Sequence, residues 1–226
     1  MAQLIALDLP APHGFLEGLL RLPDAPGAAS DATQPTRMAA LVCHPDPKGG
    51  GTMHNKVVFR VAQALGDLGM PTLRFNYRGV GRSTGAYDAG RGERDDIRTA
   101  LDALAARYPG VALCLAGFSF GAWLGLPIGC ADVRVRQLIG VGVPVALLGV
   151  GALDGCDKPK LIVQGAEDQY GPLAALQPWY AALPDPKQLT IIPHADHFFT
   201  QQQAELAAAI HAYFRSGASA LGAWNA

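Results

Sequence analysis

The chain has 226 residues, half of them hydrophobic, with 16% charged and a formal net charge of −1. That is ample apolar material for the core of one large domain, and no linker-like stretch is long enough to divide 1–226 into two. A near-neutral chain without a basic stripe offers nothing to a phosphate backbone or an acidic membrane, so neither nucleic acid nor membrane is expected as a partner.

Met1 to Asp8 lacks the positive start and long apolar run of a signal peptide, so a cytoplasmic location is expected. Leu4 to Leu9 and Phe15 to Leu22 are short half-apolar runs separated by Pro10, Pro12 and Gly14, which predicts two antiparallel edge strands. Pro23 to Arg37 reads as a surface loop leading into Ala39 to Cys43, a buried strand. Strands and helices then alternate. Val58, Val61, Leu65 and Leu68 share a helical face, Thr72 to Asn76 is a strand, and Ile97, Leu101, Leu104 and Tyr108 share another helical face. Val111 to Ala116 predicts the next strand, followed by Gln137 to Val143, Lys160 to Val163 and Gln188 to Ile192, with helices near Leu173 to Leu183 and Phe199 to Phe214. Such alternation argues a mainly parallel sheet with helices on both faces and ligands at the carboxyl ends of the strands. Ser216 to Ala226 is expected to be a poorly ordered tail. Val111 to Ala131 carries no charge, yet its internal Gly-x-Ser-x-Gly and Pro127 read as a buried strand plus a buried helix rather than a membrane span. Cys43, Cys114, Cys130 and Cys156 lack C-x-x-C spacing and are expected to be free thiols, not a disulfide framework or zinc site.

Gly117-Phe118-Ser119-Phe120-Gly121 matches the G-x-S-x-G nucleophile elbow, in which the serine occupies a strained strand-to-helix turn. Gly81-Arg82-Ser83-Thr84-Gly85 matches the same pattern, but it lacks the strand before and the helix after, so Ser119 is the candidate nucleophile. A serine hydroxyl needs a base and the base an orienting acid, which on this plan follow in the order Ser, Asp or Glu, His. Lys160 to Val163 is followed by Glu167 and Asp168, of which Asp168 is preferred; the last strand is followed by His194 and His197, of which His197 reaches further over the sheet end. The oxyanion of a tetrahedral intermediate requires two backbone donors. One is the amide of Phe120, after the nucleophile; the second falls after Cys43, where Pro45 and Pro47 have no N–H and leave Asp46 first and Lys48 next. The three glycines Gly49 to Gly51 do not complete a phosphate-binding motif.

With these residues assembled, the chain resembles the α/β-hydrolase superfamily, and within it the small bacterial members related to dienelactone hydrolase. The resemblance rests on His44-Pro-Asp-Pro-Lys-Gly-Gly-Gly-Thr-Met-His-Asn-Lys56, Phe75 to Ser83, Gly117 to Gly121, Gly165-Ala-Glu-Asp168 and Ala195-Asp-His197, and covers nearly the whole chain. It implies the α/β-hydrolase fold with an eight-stranded sheet, a Ser119–Asp168–His197 triad and hydrolysis of esters or thioesters. Two departures separate the chain from better-known relatives: dienelactone hydrolases proper carry cysteine at the elbow, and many lipases have His-Gly where this chain has His44-Pro45. Caps in this family are usually inserted after the strand that here ends near Val143, and the Pro144 to Pro159 connection is too short for one. The expectation is therefore a lidless serine hydrolase of small acyl esters or thioesters, needing no cofactor or metal and acting through an acyl-enzyme. Leu147, Leu148 and Tyr170 are candidate walls of the substrate pocket, beside Val145. Acyl transfer or peptide hydrolysis on the same triad is the nearest rival, and a binding protein that keeps the fold without turnover is a rival of another class.

Overall fold

The computed structural model describes residues 3–23, 38–145 and 153–219. It opens with a hairpin of β1 (Leu4–Ala11) and β2 (Gly14–Arg21), after which β3 (Met38–Cys43), α1 (Lys56–Asp67), β4 (Thr72–Phe75), α2 (Arg91–Arg107), β5 (Ala112–Phe118) and α3 (Phe120–Ala131) alternate. The remainder is β6 (Val135–Val141), β7 (Lys160–Gly165), α4 (Leu173–Ala182), β8 (Lys187–Ile192) and α5 (Gln203–Arg215). The eight strands form one sheet in the order β1-β2-β4-β3-β5-β6-β7-β8, antiparallel at β1/β2 and β2/β4 and parallel from β4 through β8. This is the α/β-hydrolase fold expected from the sequence.

Both faces of the central strands are covered, which is why β3, β5 and Leu161 to Val163 of β7 read as unbroken apolar runs. On one face Ala40, Val42, Cys114, Ala116, Ile139 and Val163 pack against Val57, Val58 and Val61 of α1 and Leu206 and Ile210 of α5. On the other, alternating strand residues Leu41, Leu113, Leu115 and Ile162 pack against Ile97, Leu101 and Leu104 of α2, Leu124 and Leu126 of α3 and Leu176 of α4. Side chains one apart on a strand thus serve two separate cores.

Two expectations need correcting. Of the two hairpin strands β1 alone lies at a sheet edge: β2 sits between β1 and β4, pairing Gly18–Arg21 with Thr72–Phe75, so the hairpin extends the sheet and its second strand is interior. The last helix begins at Gln203 and not at Phe199, because Phe199 and Gln201 adopt left-handed backbone (φ 51° and 65°), which stops a helix from forming there. The uncharged stretch 111–131 is β5 followed by the twelve-residue α3, and among the described residues no helix is long and apolar enough to cross a membrane. Leu147, Leu148 and most of the expected tail lie outside the described residues. Val145 is buried in the core.

The strand order reverses around β3 and β5: the chain steps from β3 to β4, crosses back to β5 on the far side of β3, and then proceeds outward through β8. Crevices at such reversals, beyond the carboxyl ends of the strands, are where open α/β sheets bind ligands. Loops following β3, β5, β7 and β8 all open there.

Candidate active site

Ser119 sits between β5 and α3 with φ 54° and ψ −118°, a conformation that a non-glycine residue holds only when its surroundings impose it. The surroundings here are close backbone contacts. A Cβ on Gly117 would stand 2.3 Å from the Gly121 carbonyl oxygen, and one on Gly121 would stand 2.5 Å from the Cys43 oxygen. Both flanking glycines are therefore steric necessities that let α3 start directly against the end of β3. The turn is closed by Ser119 N–H donating to Val141 O (3.0 Å), while Ala122 and Trp123 amides donate to Ser119 O.

His197 Nε2 lies 2.9 Å from Ser119 Oγ, and His197 Nδ1 lies 2.8 Å from Asp168 Oδ2. His197 and Asp168 are 3% and 2% exposed, so the chain of hydrogen bonds is shielded from water up to the serine hydroxyl. Asp168 accepts three further bonds, from the amides of Tyr170 (2.8 Å) and Gly171 (3.0 Å) at Oδ1 and from Gln164 Nε2 (2.8 Å) at Oδ2. With Oδ2 facing Nδ1, the imidazole carries its proton on Nδ1 and leaves Nε2 to accept from the serine.

The rival residues are elsewhere. His194 Nδ1 lies 3.2 Å from Glu167 Oε1, so the histidine and the carboxylate competing for triad positions pair with each other on the surface, their side chains 85% and 63% exposed. Ser83 is buried, donates to Asn76 O (2.7 Å) and accepts from Glu17 N–H (2.9 Å), which makes it a peg between β2 and the loop after β4.

Two residues with no role assigned from the sequence hold this arrangement. Gln164, at the end of β7 and fully buried, gives Nε2 to Asp168 and Gly171 O (2.9 Å) and takes Val143 N–H (2.8 Å) on Oε1. A polar residue closing the apolar run Leu161 to Val163 was the signal available for it. His44, also buried, has Nδ1 at 2.7 Å from Pro45 O and accepts Tyr77 N–H at Nε2 (3.1 Å), which fixes the neutral tautomer with the proton on Nδ1. Burial lowers its pKa from the ordinary 6.5 to about 4. Because carbonyl and N–H of one trans peptide point in opposite directions, drawing Pro45 O toward the His44 ring turns the Asp46 N–H away from it. The Lys48 amide, the other candidate donor, is already taken by Asp46 Oδ1 at 2.9 Å. Phe120 N–H, in the first turn of α3, is among the amides that a helix cannot satisfy internally.

Aromatic rings border the crevice. Tyr170 and Phe198, 55% and 48% exposed, lie with ring centroids 4.6 and 5.3 Å from the His197 ring. On the other side Phe120 contacts Tyr87 (6.4 Å) and Trp123 (5.4 Å), and Lys48 Nζ stands over the Tyr87 ring at 5.1 Å.

A solved α/β serine hydrolase homologue from Coxiella burnetii is 35% identical, with a TM-score of 0.83 over 92% of this chain and 96% of that one. The chain belongs to the α/β serine hydrolases. A second member, from Xanthomonas campestris and described as an α/β serine hydrolase without lid, is also 35% identical, with a TM-score of 0.82 and 94% of both chains covered. An uncharacterized protein of Rickettsia prowazekii is 34% identical over 83% of this hydrolase and 82% of its own length. Residues 114–220 also match a family described as PhoPQ-activated pathogenicity-related protein. The site has the open form expected of a lidless hydrolase: among the described residues no helix lies between β6 and β7, where a cap would be inserted. Among the described residues no cluster of His, Cys, Asp and Glu is arranged to hold a metal ion.

Proposed function

We propose that the hydrolase cleaves carboxylic esters or thioesters of small acyl groups through an acyl-enzyme on Ser119. The observation that carries this reading is the unbroken series Asp168 Oδ2, His197 Nδ1, His197 Nε2, Ser119 Oγ, with separations of 2.8 and 2.9 Å across its two hydrogen bonds. Ser119 Oγ attacks the acyl carbon as its proton passes to His197 Nε2, and Asp168 keeps the Nδ1 proton in place and stabilises the imidazolium. The oxyanion is held by the amides of Phe120 and Asp46; a missing donor in such a pair typically costs about 10²–10³ in kcat. Collapse expels the alcohol or thiol, which takes the proton from Nε2, and water then repeats the sequence on the acyl-enzyme. Tyr170 and Phe198 supply an apolar surface beside the imidazole, against which the substrate rests.

The test is labelling with a fluorophosphonate probe together with turnover of p-nitrophenyl acetate. Ser119→Ala should abolish both, and His197→Ala should reduce turnover by several orders of magnitude. Ser83→Ala and His194→Ala should retain most of the activity. Full activity in Ser119→Ala, or a greater loss in His194→Ala than in His197→Ala, would overturn the assignment.

A further inference from the structure

Next to the triad lies a cleft of about 590 Å³. It is framed by the glycine-rich loop after β3, the first turn of α1, and the turn between His197 and α5; Thr52, His54, Lys56, Phe198, Thr200 and Gln201 are among its walls. Its position relative to the chemistry follows from Phe198, which forms one wall of the cleft and packs on the imidazole of His197. The leaving group of an ester has to sit on the imidazole side, because Nε2 delivers the proton to the departing oxygen. A leaving group extending over Phe198 therefore enters this cleft.

Beside the apolar Val57 and Phe198, the polar groups of the lining are hydroxyls, amides, an imidazole and one ammonium, and among the described residues it contains no carboxylate side chain. Two acids that interact with lining residues are already hydrogen-bonded: Asp196 Oδ1 accepts the amides of Phe198 and Thr200, and Glu17 Oε2, beyond His54, accepts Asn76 Nδ2 and the Arg82 amide. At the N-terminus of α1 the amides of Val57 and Val58 are already capped by Asn55 Oδ1. Lys56 carries the one ammonium of the lining, and a single ammonium matches a single negative charge.

We propose that this cleft receives the leaving group and that Lys56 makes the enzyme prefer esters whose alcohol or thiol portion carries a carboxylate. The proposal rests on the serine-hydrolase reading of the same site and specifies which half of the substrate determines selection.

Two pairs of esters test it. 3-Acetoxybenzoate and 3-acetoxybenzamide differ by a charge in the leaving group; mono-p-nitrophenyl succinate and p-nitrophenyl butyrate differ by a charge in the acyl group. A single solvent-exposed ion pair predicts that kcat/KM favours 3-acetoxybenzoate over the amide by about fivefold at low ionic strength. The preference should shrink as salt is added. Lys56→Ala should bring that ratio to about one, Lys56→Glu should invert it, and Lys56→Arg should keep it, while the acyl pair should not respond to residue 56. Equal rates for the first pair, a ratio that survives Lys56→Ala in a variant with unaltered Tm, or a residue-56 dependence that appears in the acyl pair would each overturn the proposal. If neither ester turns over and the wild-type chain takes no fluorophosphonate label, the hydrolase reading itself has failed and the proposal falls with it.

Discussion

At the scale of single residues, the site depends on buried polar groups whose every donor and acceptor is assigned. His44 is the clearest case outside the triad, because it is fully buried with both ring nitrogens committed to backbone groups, and the protonated ring could not accept from Tyr77 N–H. Its pKa falls from 6.5 to about 4, with burial as the leading cause. Between those values the unfolded chain binds a proton that the folded chain refuses, so stability rises with pH across this window. The contribution is present in full above about pH 6.5, is lost as pH falls toward 4, and is on the order of 3 kcal/mol at 1.36 kcal/mol per unit. Urea unfolding at pH 7.0, 5.5 and 4.5 should register the decline in the wild-type chain. In His44→Gln, which has no ring to protonate, the dependence should be flatter over the same interval, although the variant is less stable at pH 7. An equally steep dependence in the variant would assign the acid sensitivity to other groups.

At the scale of elements, each functional side chain stands on a loop that a neighbouring strand fixes in place. Gln164 does this for two loops at once, since it joins Val143 after β6 to Asp168 and Gly171 after β7. Gln164→Leu keeps the volume but leaves buried Val143 N–H and Gly171 O without partners, at about 1–3 kcal/mol for each unsatisfied group. It also frees Asp168 to rotate. The expected result is a fall of at least about 2 kcal/mol in unfolding free energy and a fall of tenfold or more in kcat, measured at 25 °C where the variant is still folded. Unchanged kcat in a destabilised variant would show that the two amides of Tyr170 and Gly171 hold Asp168 unaided. The strands and most helices were legible in the sequence because apolar periodicity reports burial directly, and the hydrogen-bonded juxtaposition of Ser119, His197 and Asp168 was legible because chain order and strand ends limit where an acid and a base can stand. Gln164 and His44 were not, since each is completed by an amide from a different loop, Val143 N–H for Gln164 and Tyr77 N–H for His44, which the local sequence does not announce. The glycine run was only half legible. A Cβ on Gly51 would meet Pro45 O at 2.2 Å, whereas one on Gly49 would meet nothing within 4 Å, and composition alone does not separate the two. The left-handed residues Phe199 and Gln201 that delay α5 are likewise imposed by the turn that presents His197, against the local apolar pattern.

For the molecule as a whole, the sheet is covered on both faces and open at its carboxyl edge, and this difference determines what the enzyme can select. The two cores take up the apolar strand and helix residues, and the crevice over Ser119 is left with isolated rings, Tyr170 and Phe198 beside the imidazole and Tyr87 near Phe120. Among the described residues no helix is inserted between β6 and β7 to roof it. A methylene contributes about 0.8 kcal/mol when it is buried and almost nothing when it remains in water, so an acyl chain with no continuous apolar wall to enclose it stops gaining after its first carbons. The kcat/KM for p-nitrophenyl esters should therefore peak at short acyl groups and fall toward palmitate. Lipases activated at an interface open a lid there, and a crevice that is already open has none to displace, so the rate should pass smoothly through the concentration at which the longer esters form micelles. Assays from acetate to palmitate on both sides of that concentration decide the matter. A maximum at palmitate, or a jump in rate as micelles appear, would require an apolar cover over the crevice and would overturn the lidless reading of its specificity.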